Sequence, residues 1–399
     1  MGYRYTVFGA GRQGLAAVYD LVLNCEADHV VVIDPDKGTL SQAEERLTEI
    51  LDDDGCVVEW RPAAQNSIRG NRGDLADADV ILSCAPWKAN QDLTWQALNA
   101  GVAFCDLGGN PETVTKQQDM TINYSRRRPN LSPPPVVPDC GVSPGISNIL
   151  AASLAKQGCT SIRVRCGGLP LDANKHNGMP DPVWADSGDL NYKLTFDPMG
   201  LLSEYGGRVP VIEGGEVRFT LSLSDIEPFE WRGCVLEASP TSNNSPQVVE
   251  RLRALGVRDY NYMTLRYPGH WGLARGWMAA GFLREDRAGD EALAAALAGN
   301  DRLKYDPSRD RDRLILSVQG ARGDGLREHL GVSVEVRADT VTKFTAMELT
   351  TSWGITMVAH QMASGVARPA GFATPEAFSD GDWIAGQLRR RLGQLRGQE

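Results

Sequence analysis

Three glycines with the spacing G-x-G-x-x-G constrain the fold more than any other feature of this 399-residue sequence. They are Gly9, Gly11 and Gly14, which stand between an apolar strand at residues 4–8 and a helical pattern that runs to about Asn24. In a strand–turn–helix setting, the first glycine permits the tight turn, the second lets the backbone approach a pyrophosphate, and the third allows close contact between helix and strand. The spacing therefore predicts a dinucleotide site at a helix N-terminus, where amide N–H groups and the helix dipole favour phosphate.

Asp34 follows the second predicted strand, residues 30–33, and is the acidic residue that such a site requires. A carboxylate at this point accepts hydrogen bonds from the ribose hydroxyls and repels a 2′-phosphate. No arginine follows it in Asp34-Pro35-Asp36-Lys37, so we predict NAD rather than NADP as the cofactor. The alternative is a tight glycine turn with an incidental aspartate.

Strand-like and helical segments alternate through the first 150 residues or so. Alternation at this spacing predicts an α/β fold of the Rossmann type, in which a doubly wound parallel sheet is covered by helices. The remaining predicted segments are strands at residues 56–60, 79–84, 102–106 and 136–137, and helices at residues 39–51, 90–100 and 147–154.

The second half of the chain has a different pattern, in which apolar and polar residues alternate at 161–166, 218–223 and 332–336. Such segments are typical of antiparallel strands with one solvated face. Residues 176–190 are predicted to form a surface loop, and residues 345–365 a long helix. We predict two domains: an NAD-binding Rossmann domain of residues 1–145, completed by 345–399, and an α+β substrate-binding and dimerisation domain of residues 146–344 with a largely antiparallel sheet. An open sheet edge in the second domain favours a homodimer.

Composition excludes several classes of function. The net charge is −10, with acids and bases mixed along the chain, so we expect neither a nucleic-acid partner nor a membrane partner. We find no secretory signal and no apolar run of membrane-spanning length. The 8 cysteines do not have zinc-ligand spacing, so we expect a reduced, cytoplasmic protein without a structural metal.

Polar and small residues follow the fourth, fifth and sixth predicted strands, where ligands of open parallel sheets bind. Asp106 and Asp139 are candidate catalytic acids or bases at these strand ends, although either could be an ordinary turn or capping residue. For Asn110-Pro111 a turn is the better interpretation. The predicted cofactor-binding residues are Gly9, Ala10, Gly11, Arg12, Gln13, Gly14, Asp34, Cys84, Ala85, Pro86, Asp106 and Gly108.

A series of short motifs resembles the saccharopine dehydrogenase family over most of residues 1–365. Within the family, the resemblance is closest to the enzymes that oxidatively deaminate the ε-amine of L-lysine, which implies an NAD-dependent amino-acid dehydrogenase and a small-molecule amino-acid substrate. The motifs are Gly141-Val142-Ser143-Pro144-Gly145-Ile146-Ser147-Asn148-Ile149, Gly167-Gly168-Leu169-Pro170, Leu190-Asn191-Tyr192-Lys193, Leu201-Leu202-Ser203-Glu204-Tyr205, Leu223-Ser224-Asp225-Ile226-Glu227-Pro228, Thr241-Ser242 and Leu265-Arg266-Tyr267-Pro268-Gly269-His270.

The chain departs from the family pattern at several positions. Ser143 stands where saccharopine reductases have an acid, and Met199 where they have an arginine. The missing arginine favours a substrate smaller than saccharopine. Asn243-Asn244 stand where the lysine-deaminating enzymes have two glycines, and the 176–190 loop is longer than usual.

The second domain supplies the candidate substrate-binding residues. Arg266 can bind an α-carboxylate through its planar guanidinium, or it can form a structural salt bridge. His270 titrates near neutral pH and is a third candidate base, with a structural role as the alternative. Tyr192 and Tyr205 could line a pocket or fill the core. The other two candidates are Lys193 and Thr241.

Two other functions stay open at this point. One is a saccharopine-type or carboxynorspermidine-type NAD(P)H-dependent reductase, which would need further basic residues in its pocket. The other is a non-catalytic NAD-binding sensor, which a sealed cleft without polar side chains would favour.

Overall fold

The chain forms two compact units in a computed structural model. Unit 1 contains Met1–Ile149 and Glu348–Gly393, and unit 2 is built mainly from Leu150–Met347. The loop predicted at residues 176–190 lies outside the described residues except for its last residue. The structure describes residues 2–51, 55–63, 75–108, 110–171, 190–196, 198–242, 244–283, 290–323 and 329–395.

Unit 1 contains a six-stranded sheet in the order β3-β2-β1-β4-β5-β6. All five neighbouring pairs are parallel, which confirms the predicted doubly wound Rossmann sheet. Phe8, Ile33 and Phe104 belong to one buried cluster, as expected for strands that are covered by helices. The strands are β1 (Tyr3–Phe8), β2 (Ala27–Asp34), β3 (Val57–Pro62), β4 (Val80–Ser83), β5 (Ala103–Asp106) and β6 (Val136–Val137).

The helices named below come from the described part of the chain, and a 3-10 turn at Trp87–Ala89 precedes the third of them. They are α1 (Arg12–Asn24), α2 (Lys37–Ile50), α3 (Asn90–Ala100), α4 (Pro111–Arg127), α5 (Ile146–Lys156), α6 (Pro198–Tyr205), α7 (Pro246–Ala254), α8 (His270–Ala279), α9 (Asp290–Gly299), α10 (Ala346–Ala363), α11 (Pro375–Phe378) and α12 (Gly381–Gln394).

Helix α4 corrects the interpretation of Asn110-Pro111 as a turn. The Asn110 side chain accepts a hydrogen bond from the Thr113 amide at 2.9 Å, and Pro111 occupies the first helical turn. Both features are typical of a helix start, because the asparagine satisfies a free amide and proline lacks one.

A buried ion pair joins two helices of unit 1. Arg391 of α12 donates from Nη2 to Oδ2 of Asp20 on α1 at 2.9 Å, and from Nε to Oδ1 at 2.9 Å. Thr356 of α10 donates a further hydrogen bond to the same carboxylate. Three helices therefore converge on one buried negative charge.

Unit 2 contains a sheet in the order β10-β11-β12-β7-β13-β14, with β8 paired to β12 and β9. The predicted, largely antiparallel sheet is confirmed, with one parallel pair, β12 with β7, near its centre. The strands are β7 (Ser161–Leu171), β8 (Arg208–Glu213), β9 (Glu216–Leu221), β10 (Glu227–Trp231), β11 (Cys234–Ser239), β12 (Asp259–Arg266), β13 (Arg311–Ala321) and β14 (His329–Arg337).

This sheet curls until side chains of its two outer strands meet. Trp231 of β10 donates from Nε1 to Oε2 of Glu335 on β14 at 2.7 Å, although four strands separate them in the sheet order. Leu236, Leu265 and Ile315 are buried in one cluster with their neighbours on this sheet. The curled sheet therefore encloses part of its own core.

Within the described residues, no helix is both long enough and apolar enough to cross a membrane.

Candidate functional site

In the glycine turn of unit 1, contacts within the protein require glycine at two of the three positions. Gly9 has φ +98°, and a Cβ there would lie 2.9 Å from the carbonyl oxygen of Cys84. A Cβ on Gly14 would overlap the carbonyl oxygen of Gly9. These two positions therefore hold β1, the turn and α1 in close contact.

Gly11 differs, because no contact among the described residues requires a glycine there. Its backbone has φ −67° and ψ −171°, and an added Cβ would meet no atom of the described residues within 4 Å. Gly11 is also the N-cap of α1 and offers no side chain to the first turn, whereas Asp36 caps α2 and Asn110 caps α4. Open space in front of an uncapped helix N-terminus fits the pyrophosphate of a dinucleotide.

Asp34 lies beside this turn at the carboxyl end of β2. Its Oδ2 accepts a hydrogen bond from the amide of Ala10 at 2.8 Å, and its Oδ1 accepts one from the amide of Asp36 at 2.8 Å. Each carboxylate oxygen can accept a second hydrogen bond, so the group can still bind ribose hydroxyls. The hydrogen bond from Thr39 lowers the pKa of Asp36, so this second carboxylate, two residues after Asp34, is ionised at physiological pH.

The residues after β4 adjoin the same turn. The Cys84 carbonyl and the Ala85 amide are the groups that an added Cβ on Gly9 would meet first. Burial raises the pKa of the Cys84 thiol to about 12, so it is a neutral thiol at physiological pH. Pro86 begins the 3-10 turn as its N-cap.

Asp106 is fully buried at the end of β5, with 0% of its surface exposed. Its Oδ2 accepts a hydrogen bond from Gln117 at 2.6 Å, and its Oδ1 accepts one from the Gly108 amide at 2.7 Å. Burial raises its pKa to about 6, since the low dielectric disfavours the charged form. These contacts fix the loop after β5.

Asp139 lies next to this loop, so the structure brings two of the three predicted catalytic residues together. Its amide donates to Oδ1 of Asp106 at 3.4 Å, and a Cβ on Gly108 would overlap its carboxylate. Asp139 is buried and has φ +60°, a conformation that aspartate tolerates at some cost. Backbone strain of this kind is concentrated at functional positions.

Unit 2 brings together four of the residues predicted for the substrate site and for catalysis. Arg266 donates from Nε to the Tyr205 hydroxyl at 3.2 Å, and Nε2 of His270 lies 2.8 Å from the same hydroxyl. Nδ1 of His270 lies 2.8 Å from the carbonyl oxygen of Leu190. A carbonyl can only accept, so His270 donates from Nδ1 and accepts the Tyr205 proton at Nε2.

Arg266 is buried among aromatic rings, with 3% of its surface exposed. Its guanidinium carbon lies 4.7 Å from the ring centroid of Tyr192 and 5.7 Å from that of Trp271. Burial works against its charge, but Tyr205, Tyr192 and Glu204 outweigh burial and raise its pKa above the usual value. Within the part of the chain that the structure describes, Arg266 forms no ion pair with a carboxylate.

His270 is fully buried beside this cation. Burial, reinforced by the charge of Arg266, lowers its pKa to about 3, so the imidazole is neutral at physiological pH. Both ring nitrogens already have partners, which makes His270 a positioning group for Tyr205 in this structure.

Lys193 and Thr241 form their side-chain contacts with residues outside the Arg266 cluster. Nζ of Lys193 donates to the carbonyl of Lys304 at 3.2 Å and lies 3.3 Å from Oδ2 of Asp310. The Thr241 hydroxyl lies 2.6 Å from that of Thr264 in a fully buried contact.

Sequence reasoning missed three residues that support these sites. Gln117 holds Asp106 but lies on α4, which was not predicted. Trp271 follows His270 directly, and its ring faces Arg266. Glu348, which binds Arg12, gave no local signal because 336 residues separate the two. No group of three or more metal-ligating side chains comes together among the described residues.

Comparisons with known proteins agree with this architecture. The family model for the saccharopine dehydrogenase C-terminal domain matches residues 141–395. A saccharopine dehydrogenase (L-Glu forming) from Saccharomyces cerevisiae is 15% identical, with a TM-score of 0.68 over 98% of this chain and 98% of that chain. A homospermidine synthase from Legionella pneumophila, solved in complex with NAD, is 11% identical, with a TM-score of 0.64 over 99% of this chain and 91% of that chain. At these identities the two structures show a shared fold.

Proposed function

Because the chain belongs to the saccharopine dehydrogenase family of oxidoreductases, we propose that it oxidises the ε-amine of L-lysine with NAD, the activity of a lysine 6-dehydrogenase. The products are the 6-semialdehyde, ammonia and NADH. The semialdehyde then cyclises with its own α-amine to piperideine-6-carboxylate.

The cofactor half of the proposal is supported by the glycine turn and Asp34. Gly11 leaves open space in front of α1, and Asp34 presents a carboxylate beside the turn. Because Asp36 adds a second negative charge, NAD should bind more tightly than NADP. Asp34→Ala should reduce the difference between the affinities for NAD and NADP. Comparable affinities of the unaltered protein for the two cofactors would contradict the choice of NAD.

One observation supports the substrate half above all others: Arg266 is a buried cation with aromatic neighbours and no ion-paired carboxylate among the described residues. Glu204 favours the charged form of Arg266 but does not form an ion pair with it, so the guanidinium has no carboxylate in direct contact among the described residues. A substrate carboxylate would supply that contact through two parallel hydrogen bonds. The polar groups around Arg266 also argue against a non-catalytic sensor with an apolar cleft.

The reaction requires that the ε-ammonium of lysine, with a reference pKa of about 10.4, first lose a proton. Among the predicted bases, His270 has both nitrogens engaged and Asp106 is tied to its own loop. We therefore assign the proton transfer to Asp139, whose carboxylate lies against Gly108 in the loop after β5. NAD, when bound, supplies the acceptor for a hydride from C6. Water then hydrolyses the resulting imine and releases ammonia.

The test is NADH formation from NAD with L-lysine, compared with cadaverine, which lacks the α-carboxylate. We expect kcat/KM for cadaverine to be lower by roughly tenfold to a hundredfold, the value of one or two charge-assisted hydrogen bonds. Arg266→Ala should remove most of this preference and leave NAD affinity unchanged, whereas Arg251→Ala, at an exposed position, should change neither. Arg266→Lys keeps the buried charge if the alanine variant does not fold.

Three results would contradict this function. Oxidation of NADH by lysine with 2-oxoglutarate, without NADH formation from lysine alone, would favour a saccharopine-type reductase. NAD binding without turnover of any amino acid would favour a sensor. A rate that is flat from about pH 6 to 10 would argue against oxidation of an amine, because only the neutral amine reacts.

A further inference from the structure

We propose that Glu348 positions the guanidinium of Arg12 for the pyrophosphate of the dinucleotide, and so makes a residue far along the chain part of the cofactor site. The inference rests on the proposed cofactor site of unit 1 and is independent of which amine is oxidised. Arg12 and Glu348 both belong to unit 1.

The two residues meet at the cofactor turn. Arg12 is the first residue of α1 and follows Gly11, so its side chain starts beside the uncapped helix N-terminus. Its Nε donates a hydrogen bond to Oε1 of Glu348, which is the third residue of α10. The glycine motif could not reveal this pair, because the two residues are 336 positions apart and no local sequence pattern links them.

The exposure of the two side chains shows which one is fixed in place and which one it orients. The Glu348 side chain is 2% exposed, whereas that of Arg12 is 43% exposed. Glu348 also lies in the first turn of α10, where the positive end of the helix dipole stabilises a carboxylate. Glu348 is therefore the fixed member of the pair, and its carboxylate orients the guanidinium of Arg12.

A guanidinium can serve a carboxylate and a phosphate together. It has five N–H donors arranged in a planar fork, and the Arg12 side chain keeps 43% of its surface exposed while Nε binds Glu348. A free arginine side chain loses rotamer freedom when it is fixed on a ligand. Since Glu348 has already restricted the side chain, less of this freedom remains to be lost when a phosphate binds.

The test compares ligands that share the adenosine group and differ in phosphate. We expect Glu348→Gln to weaken binding of NAD, ADP-ribose and ADP by about tenfold, the value of roughly one charge-assisted hydrogen bond, and to leave the affinity for adenosine unchanged. Glu348→Asp should recover part of the loss. Glu44→Gln, at an exposed position on α2, is the matched control and should bind all four ligands normally.

A double-variant cycle tests whether Glu348 acts through Arg12. Once Arg12→Ala is present, Glu348→Gln should cause little further loss of ADP-ribose affinity, because the effects of coupled residues are not additive. Equal weakening of adenosine and ADP-ribose by Glu348→Gln would show a merely structural role and overturn the proposal. Unchanged or tighter ADP-ribose binding would also overturn it. If the unaltered protein binds neither NAD nor ADP-ribose, the proposed cofactor site itself fails, and the inference fails with it.

Discussion

In the glycine turn, two glycines are required by the packing of the fold, and the third is required by the proposed ligand. Gly9 and Gly14 are fixed by contacts within the protein, whereas a Cβ added at Gly11 would contact none of the residues that the structure describes. Asp106, Gly108 and Asp139 form a second group of this kind, in which backbone amides and carboxylates fix each other. The residue types in both groups were predictable, because each is required by a local turn.

Alanine substitutions at Gly11 and Gly14 should distinguish a glycine required for binding from one required for stability. We expect Gly11→Ala to leave the free energy of unfolding within about 0.5 kcal/mol of the original value and to weaken NAD binding strongly, since the added methyl group occupies the ligand's space. Gly14→Ala should destabilise the protein by several kcal/mol, because its Cβ overlaps the Gly9 carbonyl. Urea unfolding and NAD titration of both variants measure this. Equal stability of the two variants would contradict the assignment.

His270 should make the protein sensitive to acid. Its pKa is about 3 in the folded protein and about 6.5 in the unfolded chain. Between these values only the unfolded chain binds the proton, so the stability contributed by neutral His270 is complete above about pH 6.5 and is lost as the pH falls. From pH 7 to 5 we expect a loss of about 2 kcal/mol from this group.

The comparison is with His270→Asn, which cannot bind that proton. The free energy of unfolding, measured in urea at pH 7 and pH 5, should fall less in the variant than in the original protein. Asp106 titrates in both proteins and cancels from the difference. Equal losses would mean that His270 is accessible to protons in the folded state.

At the scale of elements, hydrophobic periodicity predicted α1, α2, α3, α5 and α10, and it missed α4, α6 to α9, α11 and α12. Residues 345–365 were predicted as a helix, and α10 spans Ala346–Ala363. The buried side of α4 carries Val114 and Tyr124 but also the polar Thr113, Gln117 and Thr121, so polar residues interrupt its apolar stripe. Asp20 and Arg391 were missed for another reason, since the partner of a buried charge is set by packing between distant elements.

The Asp20–Arg391 pair should hold α12 to α1. Arg391→Met leaves a buried carboxylate without its cation, and we expect a loss of about 3–5 kcal/mol in the free energy of unfolding. The double variant Asp20→Leu, Arg391→Met should lose less than either single variant, because no unpaired charge remains. Arg390→Met removes the neighbouring, exposed cation and should be nearly neutral. Additive losses in the double variant would show that the two charges do not interact.

At the scale of the whole molecule, the fold class followed from the alternation of segments, and the strand order followed the Rossmann rule. The parallel pair of β12 with β7 was not predictable from alternating patterns, since these show which face is solvated and not which strand is the neighbour. The side-chain cluster around Arg266 was predictable only in part. Arg266, Tyr205 and His270 meet, whereas Lys193 pairs with Asp310 on another segment.

The quaternary state remains a prediction. Within the described residues, β10 and β14 have a backbone ladder on one side only, and the Trp231–Glu335 contact between them involves side chains. Because an exposed strand edge tends to be covered, we expect a homodimer. Sedimentation equilibrium at micromolar concentration measures this, and a stable monomer would remove the claim.

The ion pair between Asp20 and Arg391 has a consequence for synthesis of the chain on the ribosome. Arg391 follows Asp20 by 371 residues, so at about 5–20 residues per second it is added roughly 20–75 s later. During this interval helix α1 carries an acidic residue that its finished environment would bury, and the helices α10 and α12 that cover it have not been made. The surface of α1 around Asp20 is therefore covered only after the far end of the chain has been made. A nascent chain released before residue 391 would expose this surface to chaperones and proteases.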